Sequence, residues 1–359
     1  MINYGKHYID NTDFEMIDRC MKGSILTCGP YVSKFEEELK KLTKYKYAIA
    51  VNSGTAALHA ACFAAGITKG DEVIIPSITF VATSNVVIYQ GAKPIFCDIE
   101  EDTLLIDANK IEQLITPKTK AIICVDYAGQ LCDYKKIKEI CNKYNLKFIA
   151  DSCHALGAFD RKDNINIPDF ICYSFHPVKH ITTGEGGAVL CDNDLHNKKI
   201  RAFITHGRYS SSDYFMEMQH IGFNYRMSDI NAALGISQIE KLVDFVKRRC
   251  EIANLYDLGI KTGKLKKVRN HVYHLYVIKV ENRAIFLKNM KEQFIKCGVH
   301  YIPVYHNIFY KDWYEESKKN CPVTEKIYNK IVSLPIFYSL LDAEIEYIIK
   351  NVERYCKKV

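Results

Sequence analysis

The sequence predicts an α/β protein, with a large domain built on a mostly parallel sheet covered by helices and a smaller C-terminal α+β domain. From about Tyr45 onward, short β-branched runs bounded by Gly, Pro, Asp or Asn alternate with helical patterns. Such alternation is typical of a parallel sheet with helices on both faces. The 359 residues are enough for both units, which we place at residues 1–245 and 246–359.

Seven short apolar runs predict the strands of the large domain. They cover residues 45–51, 71–76, 92–99, 119–127, 146–152, 169–175 and 187–193. Helical patterns lie between several of them, at residues 55–66, 79–91 and 133–145. Glycine closes the first two of these helices, as expected where the backbone leaves a helix in a left-handed conformation.

Helices also precede and follow the sheet. Thr12 and Glu15 have the spacing of a capping box, and Pro30 stands where a second helix would begin. A long helical stretch at about residues 227–254 is predicted to leave the large domain. The small domain then follows, with a strand at 274–280, a helix at 286–298 ended by Gly298, the segment 300–306 and a helix at 342–356.

Composition excludes several classes of function. The net charge of +7 is dispersed rather than gathered into a basic stripe, so it favours an anionic small substrate over nucleic acid. Apolar runs are too short to cross a bilayer, and no secretory signal is recognisable. The 14 cysteines are scattered singly without a C-x-x-C pair, which favours a reducing cytoplasm and predicts no metal site.

The first candidate turn is "NSGTAALHAA", where a strand ends and a helix begins. Gly54 and Thr55 would let backbone N–H groups at the helix N-terminus approach a phosphate. A simple Ser or Thr helix cap explains the same residues. The turn is neither a Walker loop nor a G-x-G-x-x-G, so nucleoside triphosphates and dinucleotides are not favoured.

The second candidate turn is "KFIADSCHALGA", in which an apolar strand ends at Asp151. This carboxylate either caps the following turn or fixes a cationic partner in a cleft, through a charge-assisted hydrogen bond. Open parallel sheets bind ligands beyond the carboxyl ends of their strands, which is where Asp151 is predicted to lie.

The third candidate turn is "SFHPVKHITTGEGGAV", where Lys179 follows a strand expected in the core. A surface lysine in a loop is one interpretation. A lysine that reaches into a cleft and forms a Schiff base with a carbonyl is the other. A phosphate cradle, a strand-end carboxylate and a cleft lysine together match pyridoxal phosphate, which carries a phosphate, a ring nitrogen and an aldehyde.

The motifs resemble the DegT/DnrJ/EryC1/StrS family of sugar aminotransferases, which act on nucleotide-linked keto sugars. The resemblance spans nearly the whole chain, through "ILTCGPYVSKFEEEL", "NSGTAALHAA", "GDEVIIPSITFVATSNVVIYQGAKPIFCDI", "DSCHALGA", "SFHPVKHITTGEGGAV", "HG" at His206, "GFNYRMSDINAALGISQ" and "SLPIF". It implies a pyridoxal phosphate-dependent transferase of fold type I, the aspartate aminotransferase fold. It also implies a homodimer with shared active sites.

The resemblance assigns roles at matching positions. Lys179 would hold pyridoxal 5'-phosphate as an internal aldimine and carry the catalytic proton, and Asp151 would pair with the ring nitrogen. The other implied cofactor contacts are Gly54 and Thr55 (amides to the phosphate), Ser174 (hydroxyl to the phosphate), Phe80 (stacking on the ring), His154 (phenolic oxygen) and Asn224 (phosphate of the neighbouring subunit).

The substrate assignment rests on the same resemblance. The family's dehydratases have histidine where this chain has Lys179, so we expect transamination from L-glutamate. We expect amination at C-4 of a UDP- or dTDP-linked 4-keto-6-deoxyhexose, with C-3 amination, a dehydratase and a non-enzymatic binding protein as alternatives. Candidate substrate contacts are His176, Arg226, Tyr305 and His306, for each of which a packing role is the alternative.

Overall fold

The computed structural model describes residues 1–158, 168–210, 215–266 and 270–356. Its centre is a sheet of seven strands, β1 Tyr47–Val51, β2 Glu72–Pro76, β3 Lys93–Cys97, β4 Thr119–Val125, β5 Lys147–Asp151, β6 Phe170–Ser174 and β7 Gly187–Cys191. The strand order is β1-β7-β6-β5-β4-β2-β3. Only β7 runs antiparallel to its neighbours, so the predicted mostly parallel sheet is confirmed.

Helices accompany the sheet on both sides. Those of the first part of the chain are α1 Asn11–Met21, α2 Pro30–Thr43, α3 Gly54–Ala64, α4 Val81–Tyr89, α5 Tyr134–Tyr144 and α6 Asp194–Phe203. A short hairpin follows, β8 Arg208–Ser210 with β9 Met216–Met218. The remaining elements are α7 Asp229–Glu240, α8 Leu242–Gly259, β10 Tyr276–Lys279, α9 Arg283–Glu292, α10 Tyr314–Asn320, α11 Pro322–Ile327, β11 Ile331–Leu334 and α12 Asp342–Cys356.

Both faces of the sheet are buried, which explains why its strands read as continuous apolar runs. On β4, Ile122 packs into one core cluster and Ile123 into the other, as the period of two along a strand requires. Ile149 of β5 shares the second cluster with the alanine-rich α3. Residues of a parallel sheet between two helical layers have no solvent face to supply polar alternation.

The C-terminal part forms its own core around β10 and β11, which pair antiparallel. Helices α8, α9 and α12 contribute to this third cluster. Helix α11, in contrast, is attached to the large sheet. The Asp98 carboxylate, directly after β3, accepts hydrogen bonds from the backbone N–H groups of Val323 and Thr324, each at 2.9 Å. The domain boundary at residues 245 and 246 stays a prediction.

Several helix boundaries differ from those predicted from the sequence. The predicted capping box of Thr12 and Glu15 is wrong, because Asp10 caps α1 and Asp13 returns the reciprocal bond. Pro30 does begin α2. The long stretch 227–254 is divided at Lys241, and the helix predicted to reach Gly298 ends at Glu292.

Among the described residues, no helix combines the length and the apolar character needed to cross a membrane.

Candidate active site

The carboxyl ends of the central strands surround a cavity of about 440 Å³. This volume lies within the range of sites for small molecules and cofactors. The cavity brings together most of the residues that the sequence singled out, namely Gly54, Thr55, Phe80, Asp151, His154, Ser174, His176 and Lys179.

Lys179 lies in the turn that follows β6 and is half-buried. Its backbone N–H donates to the His176 carbonyl at 2.9 Å, which closes the turn and directs the chain back toward β7. Burial lowers the pKa of Lys179, while the nearby Cys153 and Asp151 oppose that shift. A lysine with a lowered pKa has more of the neutral, nucleophilic amine at neutral pH.

Asp151 ends β5 and is only 5% exposed. One carboxylate oxygen accepts the Thr83 hydroxyl at 2.7 Å, and the other accepts the Cys153 backbone N–H at 3.3 Å. Thr83 is bonded in turn to Thr79, at 2.7 Å between hydroxyl oxygens, so the carboxylate is fixed in orientation. A buried carboxylate facing a cavity favours a cationic partner there, such as a protonated ring nitrogen.

The N-terminus of α3 forms another wall of the cavity. Ser53 caps the helix by accepting the Ala56 N–H at 3.1 Å, which leaves the amides of Gly54 and Thr55 without intrahelical acceptors. A Cβ on Gly54 would lie 2.7 Å from Cβ of Ser174. Glycine is therefore needed for the close approach of α3 and β6, and the exposed amides suit an anion such as phosphate.

Two further side chains lie on the same cavity. Phe80 precedes α4 and is 55% exposed, so a face of the ring is available for stacking. His154 is buried, and its Nε2 lies 3.2 Å from the Tyr301 hydroxyl. A buried carboxylate, amides at a helix N-terminus, an exposed aromatic ring and a lysine therefore surround one cavity, and these are the kinds of group that pyridoxal phosphate requires.

The model of the DegT/DnrJ/EryC1/StrS aminotransferase family matches residues 7–353. The chain belongs to that family.

Individual relatives cover almost all of the chain. It is 33% identical to GDP-perosamine synthase of Escherichia coli O157:H7 over 95% of this chain and 94% of that protein. The PLP form of Spr1654 from Streptococcus pneumoniae superposes with a TM-score of 0.93, at 28% identity over 99% of both chains. PseC of Helicobacter pylori, an aminotransferase of pseudoaminic acid biosynthesis, gives 0.92 at 29% identity over the full length of both. The family is pyridoxal phosphate-dependent, which confirms the predicted cofactor.

Sequence reasoning missed the part of the cavity that comes from the rest of the chain. His274, His300 and Tyr301 line it from the C-terminal region, and Tyr4 lines it from the N-terminus. The available signal was weak, because His274 merely begins a predicted strand and "HYIP" is a short segment without a periodic pattern. The hydroxyl of Tyr127 donates to the His300 carbonyl and ties this segment to the large sheet.

Four predicted site residues do not line the cavity of this chain. Tyr305 is fully buried, and its hydroxyl donates to Glu325 at 2.7 Å, where His306 Nε2 also lies at 2.7 Å. Asn224 is exposed outside the cavity. The backbone of Arg226 pairs with that of Val51 of β1 in an isolated antiparallel β-bridge. Its side-chain Nη1 is buried without a hydrogen-bond partner among the described residues.

A second buried polar cluster lies at the neighbouring strand end. Asp126 follows β4 and accepts the hydroxyls of Tyr134 and Ser152 and the Cys132 amide. Cys124, Asp126 and Cys132 are near enough to hold a metal ion. Burial raises the pKa of both thiols, however, and the carboxylate oxygens already have donors, so this cluster is better suited to structural support than to a metal.

Proposed function

We propose that this protein moves an amino group from L-glutamate to C-4 of a UDP- or dTDP-linked 4-keto-6-deoxyhexose, giving a 4-amino-4,6-dideoxy sugar nucleotide. The observation that carries the proposal is one cavity in which the Lys179 side chain, the buried Asp151 carboxylate and the N-terminus of α3 all meet. Pyridoxal phosphate, when bound, supplies the electron sink that makes proton removal at the donor's α-carbon feasible.

Five of the cavity residues are suited to hold that cofactor. Asp151 keeps the ring nitrogen protonated, because a buried carboxylate stabilises an adjacent cation. The amides of Gly54 and Thr55 and the Ser174 hydroxyl bind the phosphate at the helix N-terminus. Phe80 packs on the ring.

Lys179 acts twice. It binds the cofactor before the amino donor enters, and once freed it moves a proton to and from the donor's α-carbon as base and acid. Its lowered pKa suits this role, because an amine that is not fully protonated at neutral pH can accept a proton. A lysine at this position favours transamination over dehydration.

Two side chains support binding of the substrate. His176 lines the cavity. Arg226 lies outside the cavity lining of one chain, but its buried Nη1 has no hydrogen-bond partner among the described residues, and an unused guanidinium donor suits a diphosphate oxygen. The net charge of +7 favours approach of a sugar nucleotide.

The active site is proposed to be completed by a second copy of the chain, which supplies Asn224 to the phosphate. Support comes from apolar side chains exposed close to Asn224 in sequence, with Met216, Met218 and Ile221 exposed by 52%, 64% and 78%. Exposed apolar groups of this kind are typical of protein–protein contact surfaces.

The reaction is tested by incubating the purified enzyme with L-glutamate and a panel of UDP-, dTDP- and GDP-linked 4-keto and 3-keto sugars. Mass spectrometry should show an amino sugar formed in step with 2-oxoglutarate. Lys179→Ala should abolish turnover and the visible absorbance of lysine-bound cofactor while circular dichroism is unchanged. Lys120→Ala, an exposed lysine on β4, is the matched control and should retain both. Normal turnover by Lys179→Ala would disprove the assignment.

The shared site has its own test. Lys179→Ala and Asn224→Ala are prepared as inactive homodimers and then mixed under conditions that allow subunit exchange. If Asn224 serves the neighbouring subunit, a mixed dimer contains one site with both side chains intact and regains up to about a quarter of wild-type activity by subunit counting. No recovery in mixtures shown by mass to contain mixed dimers would place Asn224 and Lys179 in the same subunit's site.

A further inference from the structure

The pairing of His154 with Tyr301 determines which of the two presents a proton to the cavity. His154 comes from the turn after β5 and Tyr301 from the segment between α9 and α10, so the pair joins distant parts of the chain. Their Nε2 and hydroxyl oxygen lie 3.2 Å apart. Either atom can be the donor in such a pair. Which one donates depends on the tautomer of His154, and the hydrogen bond made by its second ring nitrogen, Nδ1, indicates that tautomer.

The backbone settles the tautomer. The Ala128 N–H donates to Nδ1 of His154 at 3.4 Å. A backbone N–H has no acceptor capacity, so Nδ1 must be the unprotonated nitrogen and Nε2 must carry the hydrogen. Burial lowers the pKa of His154 well below its usual value, with smaller contributions from Lys179 and the neighbouring histidines His300 and His180, which keeps the ring neutral.

It follows that His154 donates through Nε2 and that Tyr301 accepts. The Tyr301 hydroxyl then keeps its own hydrogen without an acceptor. Its oxygen has no hydrogen-bond partner besides His154 within residues 1–158, 168–210, 215–266 and 270–356. Tyr301 lines the same cavity as Lys179 and Asp151, and its ring centroid is 5.9 Å from that of Phe80. The free hydrogen is therefore available to a ligand in that cavity.

We propose that Tyr301 is the hydrogen-bond donor to the phenolic oxygen of the bound cofactor and that His154 is the positioning residue that orients its hydroxyl. The family resemblance alone places His154 at that oxygen, whereas the hydrogen bonds of this pair leave a free hydrogen on the Tyr301 hydroxyl and none on the His154 ring. The inference rests on the proposed cofactor role of Lys179 and deepens it by naming the donor.

The segment that carries Tyr301 is held firmly enough for such a role. The Tyr127 hydroxyl donates to the His300 carbonyl, and Nδ1 of His300 lies 2.9 Å from the Ser333 hydroxyl. The residue before Tyr301 is thus fixed both to the large sheet and to β11. A hydrogen-bond donor whose backbone is held by neighbouring residues keeps its orientation toward the ligand when the ligand's charge changes.

The tautomer is tested first in cofactor-free protein by nitrogen NMR of ¹⁵N-histidine-labelled enzyme, with the His154 signals identified by their loss in His154→Gln. We expect the pair of shifts that marks a neutral ring protonated at Nε2. Signals of a ring protonated at Nδ1, or of a charged ring at pH 7, would overturn the proposal.

The contact is tested in the cofactor-loaded enzyme by titrating its visible absorbance with pH. Tyr301→Phe removes the donor, so the phenolic oxygen holds more negative charge and stabilises the proton on the adjacent nitrogen that links cofactor to Lys179. The pKa of that nitrogen should rise by about 1–2 units, the size expected for one hydrogen bond to a charged acceptor. The other titratable groups that line the cavity are unchanged in this variant; they are Tyr4, Asp151, Cys153, His154, His176, Glu185, His274 and His300.

Tyr347→Phe provides the matched control, because it is the same change at an exposed tyrosine on α12 and should leave the titration unaltered. His154→Leu should shift the pKa in the same direction by a smaller amount, because the hydroxyl loses its orientation but not its proton. A wild-type band with an unshifted titration in Tyr301→Phe would overturn this inference alone. A wild type that acquires no band with pyridoxal phosphate would instead overturn the proposed role of Lys179.

Discussion

The two walls of the cavity were built in different ways. One wall consists of strand ends and the N-terminus of α3 and contains Gly54, Asp151 and Lys179, each placed by a short local turn of the large sheet. The other wall consists of His274, His300 and Tyr301, which reach the cavity only because the C-terminal region packs on the sheet. The first wall contains the groups expected to bind the cofactor, and local sequence motifs mark them. The second wall depends on tertiary contacts that local sequence does not show.

The strongest effect is expected on stability at low pH, because burial lowers the pKa of several histidines, of which His154, His274 and His300 line the cavity. Burial lowers the pKa of His154, His180 and His274 well below the usual range and that of His59 and His300 to about 4. These histidines are neutral in the fold but take up protons in the unfolded chain below about pH 6.5. Stability is therefore full above pH 6.5 and is lost as pH falls toward 4, at up to about 1.4 kcal/mol per pH unit for each histidine.

Urea unfolding followed between pH 7 and pH 5 measures this slope. His274→Gln should make the slope shallower by up to about 1.4 kcal/mol per pH unit, which corresponds to one proton. Equal slopes in wild type and His274→Gln would mean that water reaches the second wall.

The predictability of the fold and site follows the same division. The strands and the residues at their ends were predictable, because burial on both faces leaves an uninterrupted apolar run that stops where Asp151 begins its turn. The break at Lys241 was not predictable, because the apolar pattern continues from α7 into α8. Tyr301 was missed for a different reason, since its partner His154 lies 147 residues away in sequence.

A large effect on chemistry is expected at the first wall. Asp151→Asn keeps the shape and the Thr83 contact but removes the negative charge that stabilises a protonated ring nitrogen. We expect kcat to fall by about 10²–10³, as for loss of one preorganised electrostatic contact. Steady-state kinetics and the absorbance of bound cofactor measure the effect.

Asp126→Asn is the control for that charge, since Asp126 directly follows the adjacent strand β4 but lies outside the cavity lining. Burial raises the pKa of Asp126 to about 6, although bonds from Ser152 and Tyr134 oppose the shift. Its ionisation thus costs stability as pH rises from about 4 to about 6, and the variant should alter that pH dependence while kcat stays within a few fold. A comparable loss of kcat in both variants would deny Asp151 a special role.

A smaller effect is expected where the first wall closes on the phosphate. In Gly54→Ala the new Cβ would lie 2.7 Å from Cβ of Ser174 and 3.1 Å from Sγ of Cys153. Relief of this overlap must move α3 away from β6, so affinity for pyridoxal phosphate should fall about tenfold or more, given roughly 1–3 kcal/mol for overpacking. Gly23→Ala, at an exposed glycine, should bind the cofactor normally, and unchanged affinity in Gly54→Ala would contradict the cradle.

The smallest effect separates two tyrosines of the C-terminal region. Tyr305→Phe loses the 2.7 Å bond to Glu325, but His306 still contacts that carboxylate. Because Tyr305 is buried away from the cavity, the variant should lose about 1–2 kcal/mol of stability and keep its KM for the sugar nucleotide. The same change at Tyr301 should act on the cofactor spectrum instead. A raised KM with unchanged stability in Tyr305→Phe would instead support the substrate contact that the sequence predicted for Tyr305. The second wall would then extend beyond the cavity that one chain forms.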